Sequence, residues 1–205
     1  HAAFCQHANI LKQRIDDAIA GYSPRIEWVV GPSRVGKTML IHMLARQYPA
    51  QRVGGKRSIP VLVVSIPPGI SPSMLPASVL TALGVPLPQR ASSAGVMFGR
   101  LCDQLRLAGT KVILFEEASH LVEPGARVPP RGAGDWFKSL VDTLGMTVFM
   151  FGVPRLERLF ASNEQLRLRA STRREFRPYD ARDPSDFRDF AICVNTYAEL
   201  FKKHE

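Results

Sequence analysis

The sequence has few cysteines, and they are not arranged for a disulfide framework or a metal site. Only Cys5, Cys102 and Cys193 occur in 205 residues, and they form neither a CxxC pair nor a motif with histidine. Long apolar runs are also lacking, since stretches such as Val61–Ile66 fall far short of the about 20 residues that a membrane-spanning helix needs. These absences exclude a disulfide scaffold and a membrane-spanning protein, and they favour reduced thiols in a cytoplasm.

Carboxylates are missing from one long segment of the chain. Between Glu27 and Asp103 there is no Asp or Glu. The same segment contains eight basic residues: Arg34, Lys37, Arg46, Arg52, Lys56, Arg57, Arg90 and Arg100. Because the whole chain has a net charge of +9, nearly all of the excess lies there. Such an excess predicts an acidic polymer as a partner.

Apolar runs alternate with helical patterns along the chain, which is typical of a parallel sheet with crossover helices. We predict strands at Ile26–Val30, Val61–Ile66, Val112–Phe115, Thr147–Phe151 and Glu175–Tyr179. Helical spacing predicts one helix through Met97, Leu101 and Leu105, closed by Gly109, and another capped by Asp135 and ended by Gly145. The segments Pro67–Pro76, Pro86–Pro88 and Pro124–Gly134 are interpreted as loops.

The last residues have the pattern of a separate amphipathic helix. Asp183 is placed as its cap, Pro184 at its first position and Asp186 three residues after the cap. The helix carries apolar side chains such as Phe187 and Phe190, which need another surface to pack on. We therefore expect an α/β domain over residues 1–180 and the first part of a helical lid over residues 181–205.

One segment fits the phosphate-binding loop motif GxxxxGK[ST] at every fixed position, between a predicted strand and a predicted helix. It consists of Gly31, Pro32, Ser33, Arg34, Val35, Gly36, Lys37 and Thr38, and Met39 begins the helical run that follows. Glycines allow a close backbone approach, and the helix N-terminus attracts phosphate oxygens. Lys37 would reach the β- and γ-phosphates of ATP, and Thr38 would bind Mg²⁺. The motif alone does not distinguish an ATPase from a kinase or a GTPase.

A pair of acids follows the buried strand pattern Val112–Phe115. Parallel strands place such residues at the carboxyl edge of the sheet, beside the phosphate loop. Glu116 would hold Mg²⁺, and Glu117 would orient or deprotonate the attacking water. Glu116 stands where the commonest pattern has Asp, so hydrolysis is expected to be slow.

The order of these motifs resembles an AAA+ ATPase of the TniB and TnsC-like family of bacterial transposition regulators. Four segments carry the resemblance in addition to the phosphate loop: residues 60–69, residues 115–121 (Phe-Glu-Glu-Ala-Ser-His-Leu), residues 148–154 and residues 163–169 (Asn-Glu-Gln-Leu-Arg-Leu-Arg). The resemblance implies a P-loop AAA+ fold with a five-stranded parallel sheet flanked by helices. It also implies an ATPase in the bacterial cytoplasm.

The resemblance further implies a ring or helical filament of subunits around double-stranded DNA, with ATP between neighbours. Arg169 aligns with the position of an arginine finger, and Arg167, Arg173 and Arg174 are competitors for that role. ATP would favour the assembly that recruits or activates a transposase, with a target-selection protein as a further partner, and hydrolysis would drive disassembly. The candidates for DNA contact are Arg52, Lys56, Arg57, Arg90, Arg127, Arg131 and Lys138.

One departure from the family concerns the polar sensor near the end of the fourth strand. Val148–Phe151 are all apolar, which leaves Thr147 or the Gly152 backbone as poor substitutes. Two alternatives stay open: a small-molecule or nucleoside kinase, which would use the same loop and metal site, and a non-hydrolysing nucleotide-switch scaffold, which Glu116 and the missing polar sensor favour.

Overall fold

A computed structural model describes residues 2–71, 74–88, 93–127 and 129–202. Within them the strands are β1 (Ile26–Val30), β2 (Gln51–Val53), β3 (Lys56–Ser58), β4 (Val61–Ser65), β5 (Val112–Glu116), β6 (Thr147–Gly152) and β7 (Arg174–Glu175). The helices are α1 (Ala2–Ile19), α2 (Lys37–Arg46), α3 (Met74–Ala82), α4 (Ala94–Leu107), α5 (Pro130–Leu144), α6 (Glu157–Ala161), α7 (Glu164–Arg169) and α8 (Pro184–Lys202). Short 3₁₀ helices span Ala118–Val122 and Pro154–Leu156.

Five strands form the predicted parallel sheet, in the order β4-β5-β6-β1-β7. Every residue of β1 and β6 is buried, because helices cover both faces of the sheet. Val29, Leu114 and Phe149 pack with α1 and α2 on one face. Side chains that alternate with them pack with α3 to α7 on the other. The fold places the carboxyl ends of β1, β5 and β6 side by side.

The four predicted core strands are confirmed within a residue at their ends. The fifth differs, because only Arg174–Glu175 pairs with β1, where Glu175–Tyr179 was predicted. Helix α1 was not predicted from the sequence. Its buried Ala8, Leu11, Ile15 and Ala18 recur at helical spacing and could have revealed it.

Two proline-rich segments that were predicted as loops are partly helical. Helix α5 begins at Pro130, with Pro129 as its N-cap, so Asp135 lies inside the helix and does not cap it. Proline suits this position because its φ is already helical, and because the N–H that proline lacks would have no partner within the helix there. Helix α3 likewise contains Pro76 in its first turn. Gly145 ends α5 in a left-handed conformation, as predicted.

A two-stranded hairpin precedes β4. Strands β2 and β3 pair antiparallel across Gly54 and Gly55, whose positive φ values of 58° and 78° suit a tight hairpin turn. The sequence signal for this hairpin was the Gly-Gly pair between two short, mostly polar segments.

The start of α8 follows the sequence prediction in part. Asp183 accepts a hydrogen bond from the Ser185 backbone N–H at 2.8 Å, which is the expected cap contact. Asp186 does not return to the Asp183 backbone; it accepts from the Asp180 N–H at 2.9 Å instead. Phe187 and Phe190 are 60% and 49% exposed. None of the helices in the described part of the chain has the length and hydrophobicity needed to cross a bilayer.

Candidate nucleotide-binding site

The predicted phosphate loop connects β1 to α2 at the carboxyl edge of the sheet. It is anchored at its start, where the Gly31 N–H donates to the Gly152 carbonyl at 3.1 Å. Arg34 and Gly36 both have positive φ, 66° and 99°. Gly36 is the N-cap of α2 and offers no side chain to the helix N-terminus. The first backbone N–H groups of α2 are thus available to an anion.

Lys37 is the buried cation of this loop. Its Nζ donates to the carbonyls of Gly31 at 2.9 Å and Pro32 at 2.6 Å, and the residue is only 9% exposed. Burial lowers the pKa of Lys37, and the nearby charge of Glu117 opposes that shift. A phosphate at the loop would give this ammonium a counter-charge that compensates for the water lost on burial.

Thr38 and Glu116 meet at the carboxyl end of β5. The Thr38 hydroxyl donates to Glu116 Oε1, although the two residues are 78 positions apart in sequence. The described residues contain no cluster of three or more metal-ligating His, Cys, Asp or Glu side chains. A hydroxyl and one carboxylate nevertheless fit Mg²⁺, which keeps several waters and takes phosphate oxygens as further ligands.

Glu117, the second predicted acid, has an unusual backbone conformation. Its φ of 55° is in the left-handed region, which residues with side chains rarely adopt. The exposed carboxylate is close enough to Lys37 to affect its pKa. The structure therefore brings Lys37, Thr38, Glu116 and Glu117 to one place. A strained backbone conformation like that of Glu117 is commonly found at functional sites.

A cover over the phosphate loop was missed by the sequence analysis. The Phe176 N–H donates to the Val30 carbonyl at 2.7 Å, which continues β7 across the start of the loop. A Cβ atom added to Gly31 would lie 2.2 Å from the Phe176 carbonyl oxygen, so only glycine fits there. The Phe176 ring packs against Phe4 and His7 of α1, at centroid distances of 5.8 and 5.2 Å.

A pocket of about 540 Å³ lies beside the loop and this cover. Its lining includes the loop residues Pro32, Ser33, Arg34 and Val35, together with aromatic side chains from three other segments: Phe4, Phe176, Tyr179 and Phe190. Met39 is 60% exposed and is not among the lining residues of that pocket. An apolar pocket next to a phosphate site can hold the base and sugar of a nucleotide.

A buried carboxylate connects the cover to the sheet. Glu27 of β1 is fully buried and accepts a hydrogen bond from the Ser171 hydroxyl at 2.6 Å. Arg14 of α1 and Arg174 of β7 approach it within 3.5 and 3.8 Å. The only acid in an otherwise apolar strand was the sequence signal for this cluster, which joins α1, β1 and β7.

Arg169 lies away from these residues. Helix α7 ends there, and the next residue, Ala170, bridges to Ile26 at the amino end of β1. The phosphate loop leaves the opposite end of the same strand. The structure therefore does not bring Arg169 to the phosphate loop of its own chain. Among its competitors, Arg174 is partly buried beside Glu27, whereas Arg167 and Arg173 are exposed.

The end of β6 has a polar group that comes from another element. Ser119 is 1% exposed, and its hydroxyl accepts from the Val153 N–H at 2.7 Å. A Cβ atom on Gly152 would lie 2.3 Å from that hydroxyl oxygen. Thr147 is buried. It lies at the amino end of β6, where it pairs with Val112, the first residue of β5. Among these polar groups, Ser119 and the Gly152 backbone lie at the loop end of the strand, and Thr147 lies at the opposite end.

The candidates for DNA contact fall into two groups. Arg52, Lys56 and Arg57 lie on the β2–β3 hairpin, which precedes β4 at the amino edge of the sheet. Arg127 and Arg131 are exposed around the start of α5, and half-buried Lys138 follows in that helix. Arg90 lies outside the described residues. The described candidates therefore belong to two separate elements, the β2–β3 hairpin and the start of α5.

Residues 12–177 match the sequence model of a family described as Bacterial TniB protein. Among curated proteins, no sequence matches this chain significantly. Similar solved structures include the ORC2 protein of Aeropyrum pernix in ADPNP and ADP complexes, with 13% identity and a TM-score of 0.64 over 86% of this chain and 48% of that chain.

Two further structures have the same fold. CDC6P from Pyrobaculum aerophilum has 15% identity and a TM-score of 0.61, over 85% of this chain and 45% of that chain. The ORC1 protein of Aeropyrum pernix in complex with DNA has 21% identity and a TM-score of 0.58, over 97% of this chain and 49% of that chain. This chain thus spans about half the length of these proteins. At such identities they show the fold alone, and they confirm the predicted AAA+ P-loop architecture.

Proposed function

Because its match to the family model extends over residues 12–177, this chain belongs to the bacterial TniB family, and on that premise we propose that it is an ATP-dependent, DNA-binding regulator of transposition. In this proposal ATP promotes assembly of subunits on double-stranded DNA. The assembly recruits or activates a transposase, together with a target-selection protein, and hydrolysis drives disassembly.

The observation that carries the proposal is the meeting of Thr38 and Glu116, with buried Lys37 and strained Glu117 beside them. The backbone N–H groups at the start of α2 would bind the β-phosphate, and Lys37 would exchange its two loop carbonyls for phosphate oxygens. Thr38 and Glu116 would hold Mg²⁺, which neutralises charge on the phosphates. Glu117 would orient the attacking water and accept its proton.

The nucleotide base would occupy the pocket of about 540 Å³ beside Phe176. Phe4, Tyr179 and Phe190 contribute apolar surface to it from α1, the segment after β7 and α8. Since α8 supplies one wall, residues 181–205 would act as the first part of a lid on the α/β domain of residues 1–180. Nucleotide binding would then fix α8 against that domain.

Hydrolysis would need a neighbouring subunit, because Arg169 lies at the amino end of its own sheet. A ring or filament would place it at the γ-phosphate bound by the next chain, where it would stabilise the transition-state charge. Exposed Arg127 and Arg131 are our proposed DNA contacts, through phosphate attraction that does not depend on sequence.

The decisive experiment is negative-stain microscopy of the protein with a non-hydrolysable ATP analogue and duplex DNA. We expect rings or filaments only when both ligands are present. Lys37→Ala should remain dispersed with both ligands, whereas Lys56→Ala at the amino edge of the sheet should still assemble when both are present. Particles of the unmodified protein that stay monomeric with both ligands would overturn the proposal.

A non-hydrolysing switch is the second candidate, and the end of β6 supports it. No polar side chain of β6 reaches the site, and the Ser119 hydroxyl is already bonded to the Val153 backbone. Such a protein would assemble with ATP and DNA in the same way. Release of inorganic phosphate in the presence of DNA distinguishes the two functions.

A further inference from the structure

The β2–β3 hairpin and the ends of two helices enclose a groove at the amino edge of the sheet. The groove has a volume of about 350 Å³. Its lining combines an apolar floor with the cations of the hairpin, and the residues that matter here are Lys56, Arg57, Ile59, Leu83, Val85 and Leu107. This hairpin groove lies at the opposite end of the strands from the phosphate loop.

The hairpin is strongly basic, and no ion pair within the described residues neutralises its cations. Arg52, Lys56 and Arg57 are all exposed, and in the described part of the chain none of them forms an ion pair. Arg52 and Arg57 also stand directly opposite each other in the antiparallel register. Like charges in such a pair repel and destabilise the hairpin, so an anionic ligand would relieve the repulsion.

One of these cations is fixed in place. Arg57 Nη1 donates to the Leu83 carbonyl at 3.2 Å, just beyond the end of α3. Ile59 holds the other side, because its N–H donates to the Ala108 carbonyl at 2.8 Å after α4. The hairpin is therefore attached to the ends of both helices, and the groove between them is a built feature of the fold.

The floor of the groove is apolar. Ile59 and Leu83 are buried beneath it, and Leu107 at its rim is 64% exposed. A nucleic acid backbone would use the cations and leave this apolar surface in water. A peptide with carboxylates and one large apolar side chain would use both.

We propose that the hairpin groove binds an acidic linear segment of a partner protein. Carboxylates of the segment contact Arg52, Lys56 and Arg57, and one large aliphatic or aromatic side chain packs between Val85 and Leu107. The proposal does not depend on ATP chemistry, since the groove and the phosphate loop are at opposite edges of the sheet. It assigns the hairpin cations to a protein partner and leaves Arg127 and Arg131 for DNA.

Fluorescence anisotropy with labelled octapeptides provides the test. One probe contains seven acidic residues around one leucine, and its counterpart has alanine in place of that leucine. We expect the leucine peptide to bind at least about tenfold more tightly than the alanine peptide. Leu107→Ser should remove about tenfold in affinity for the leucine peptide. Val96→Ser is the matched control, because Val96 is also 64% exposed but lies at the other end of α4.

Charge reversal supplies an independent variant on an exposed position. Lys56→Glu should weaken binding of the leucine peptide by about tenfold or more, and Arg131→Glu should leave it unchanged. Binding of an ATP analogue should be normal in every variant, which shows that each one is folded. Equal affinity for the two peptides, or equal affinity of Leu107→Ser and Val96→Ser, would overturn the proposal. Displacement of the peptide by a short DNA duplex, with loss of DNA binding in Lys56→Glu, would assign the hairpin to DNA instead.

Discussion

Arg169 and Asp142 form a bidentate ion pair that joins α7 to α5. Arg169 Nε lies 2.8 Å from Asp142 Oδ1, and Nη2 lies 3.0 Å from Oδ2. A third bond, from Nη1 to the Gln165 carbonyl at 3.2 Å, completes the set. The guanidinium that we propose as a finger is thus held by its own subunit, and reaching a neighbour requires Asp142 to release it or move with it.

The first prediction separates a finger from a structural arginine. Arg169→Ala should lower DNA-stimulated ATP turnover by about 10³-fold or more, because a finger stabilises transition-state charge. Asp142→Ala should cost less than about tenfold, since a surface ion pair contributes little and the arginine stays available. Steady-state phosphate release measures both. An equal loss of turnover in the two variants would indicate that Arg169 acts through its ion pair with Asp142 and is not a finger.

Mixed assemblies test whether Arg169 acts between subunits. Arg169→Ala and Glu117→Gln subunits are each inactive alone in this scheme. When they are mixed, some interfaces combine an intact Glu117 with an intact Arg169 from the neighbour. Turnover should therefore recover in the mixture, and a mixture as inactive as its components would contradict action in trans.

The second prediction concerns the buried ammonium of the phosphate loop. Lys37→Met removes a cation whose pKa is lowered by burial, and it also removes two hydrogen bonds to loop carbonyls. The two effects oppose each other, so the unfolding free energy of the ligand-free protein should change by no more than about 2 kcal/mol. The rise in melting temperature caused by an ATP analogue should disappear. Lys56→Met, on the hairpin, is the control and should keep the full rise. A normal rise in Lys37→Met would remove this residue from the nucleotide site.

The third prediction divides the two acids after β5. Glu117→Gln should lower turnover by about 10²-fold or more with little change in ATP affinity, because the glutamine amide cannot accept a proton from the attacking water. Its assemblies on DNA should persist under the microscope with ATP. Glu116→Gln should instead raise the Mg²⁺ concentration needed for ATP binding. Faster disassembly of Glu117→Gln than of the unmodified protein would refute its role.

The fourth prediction uses the close contact between Gly31 and Phe176. A methyl group at position 31 would push the Phe176 backbone away from β1, so Gly31→Ala should lose about 1–3 kcal/mol of unfolding free energy. Gly99→Ala in α4 is the control, because nothing lies within 4 Å of its added Cβ. That variant should be at least as stable as the unmodified protein. Denaturant unfolding measures the unfolding free energy of both variants. Equal values would show that the Phe176 backbone moves away from residue 31 without loss of stability.

The fifth prediction is a pH effect at the cover. Burial lowers the pKa of His7 below 6.5, with a smaller contribution from Arg174, while a hydrogen bond to the Glu175 backbone opposes the shift. The unfolded chain therefore takes up a proton before the folded one does. Stability should fall as the pH drops below about 6.5, until the folded-state pKa has been passed. His7→Leu should lose part of this dependence and His42→Leu, at an exposed position, should keep it. Identical pH profiles for all three would contradict the prediction.

The core of the fold could be predicted because its signals are local. The apolar runs Ile26–Val30 and Thr147–Phe151 are long enough to specify buried strands, and the glycine spacing of residues 31–38 specifies the loop. Pairing of the strands then places Glu116 beside Thr38, since parallel carboxyl ends share an edge.

The missed features depend on contacts between distant segments. Phe176 covers Gly31 because β7 pairs with β1, and the strand pattern predicted at Glu175–Tyr179 did not indicate which strand it would pair with. Ser119 reaches the end of β6 only after a 3₁₀ turn has redirected the chain. Pro130 opens a helix that the surrounding Gly, Pro and Arg residues concealed. In each case tertiary packing overrode the local composition.

The two outermost strands of the central sheet, β7 and β4, offer little backbone for pairing with another chain. One edge is β7, which offers only two paired residues, and the other is β4, whose first four residues are buried or nearly so. Short or covered edges provide little template for strand addition by another chain. Many subunits could therefore assemble at high local concentration without forming intermolecular, amyloid-like β-sheets. Contacts between them would remain side-chain contacts, which can be dissolved and re-formed.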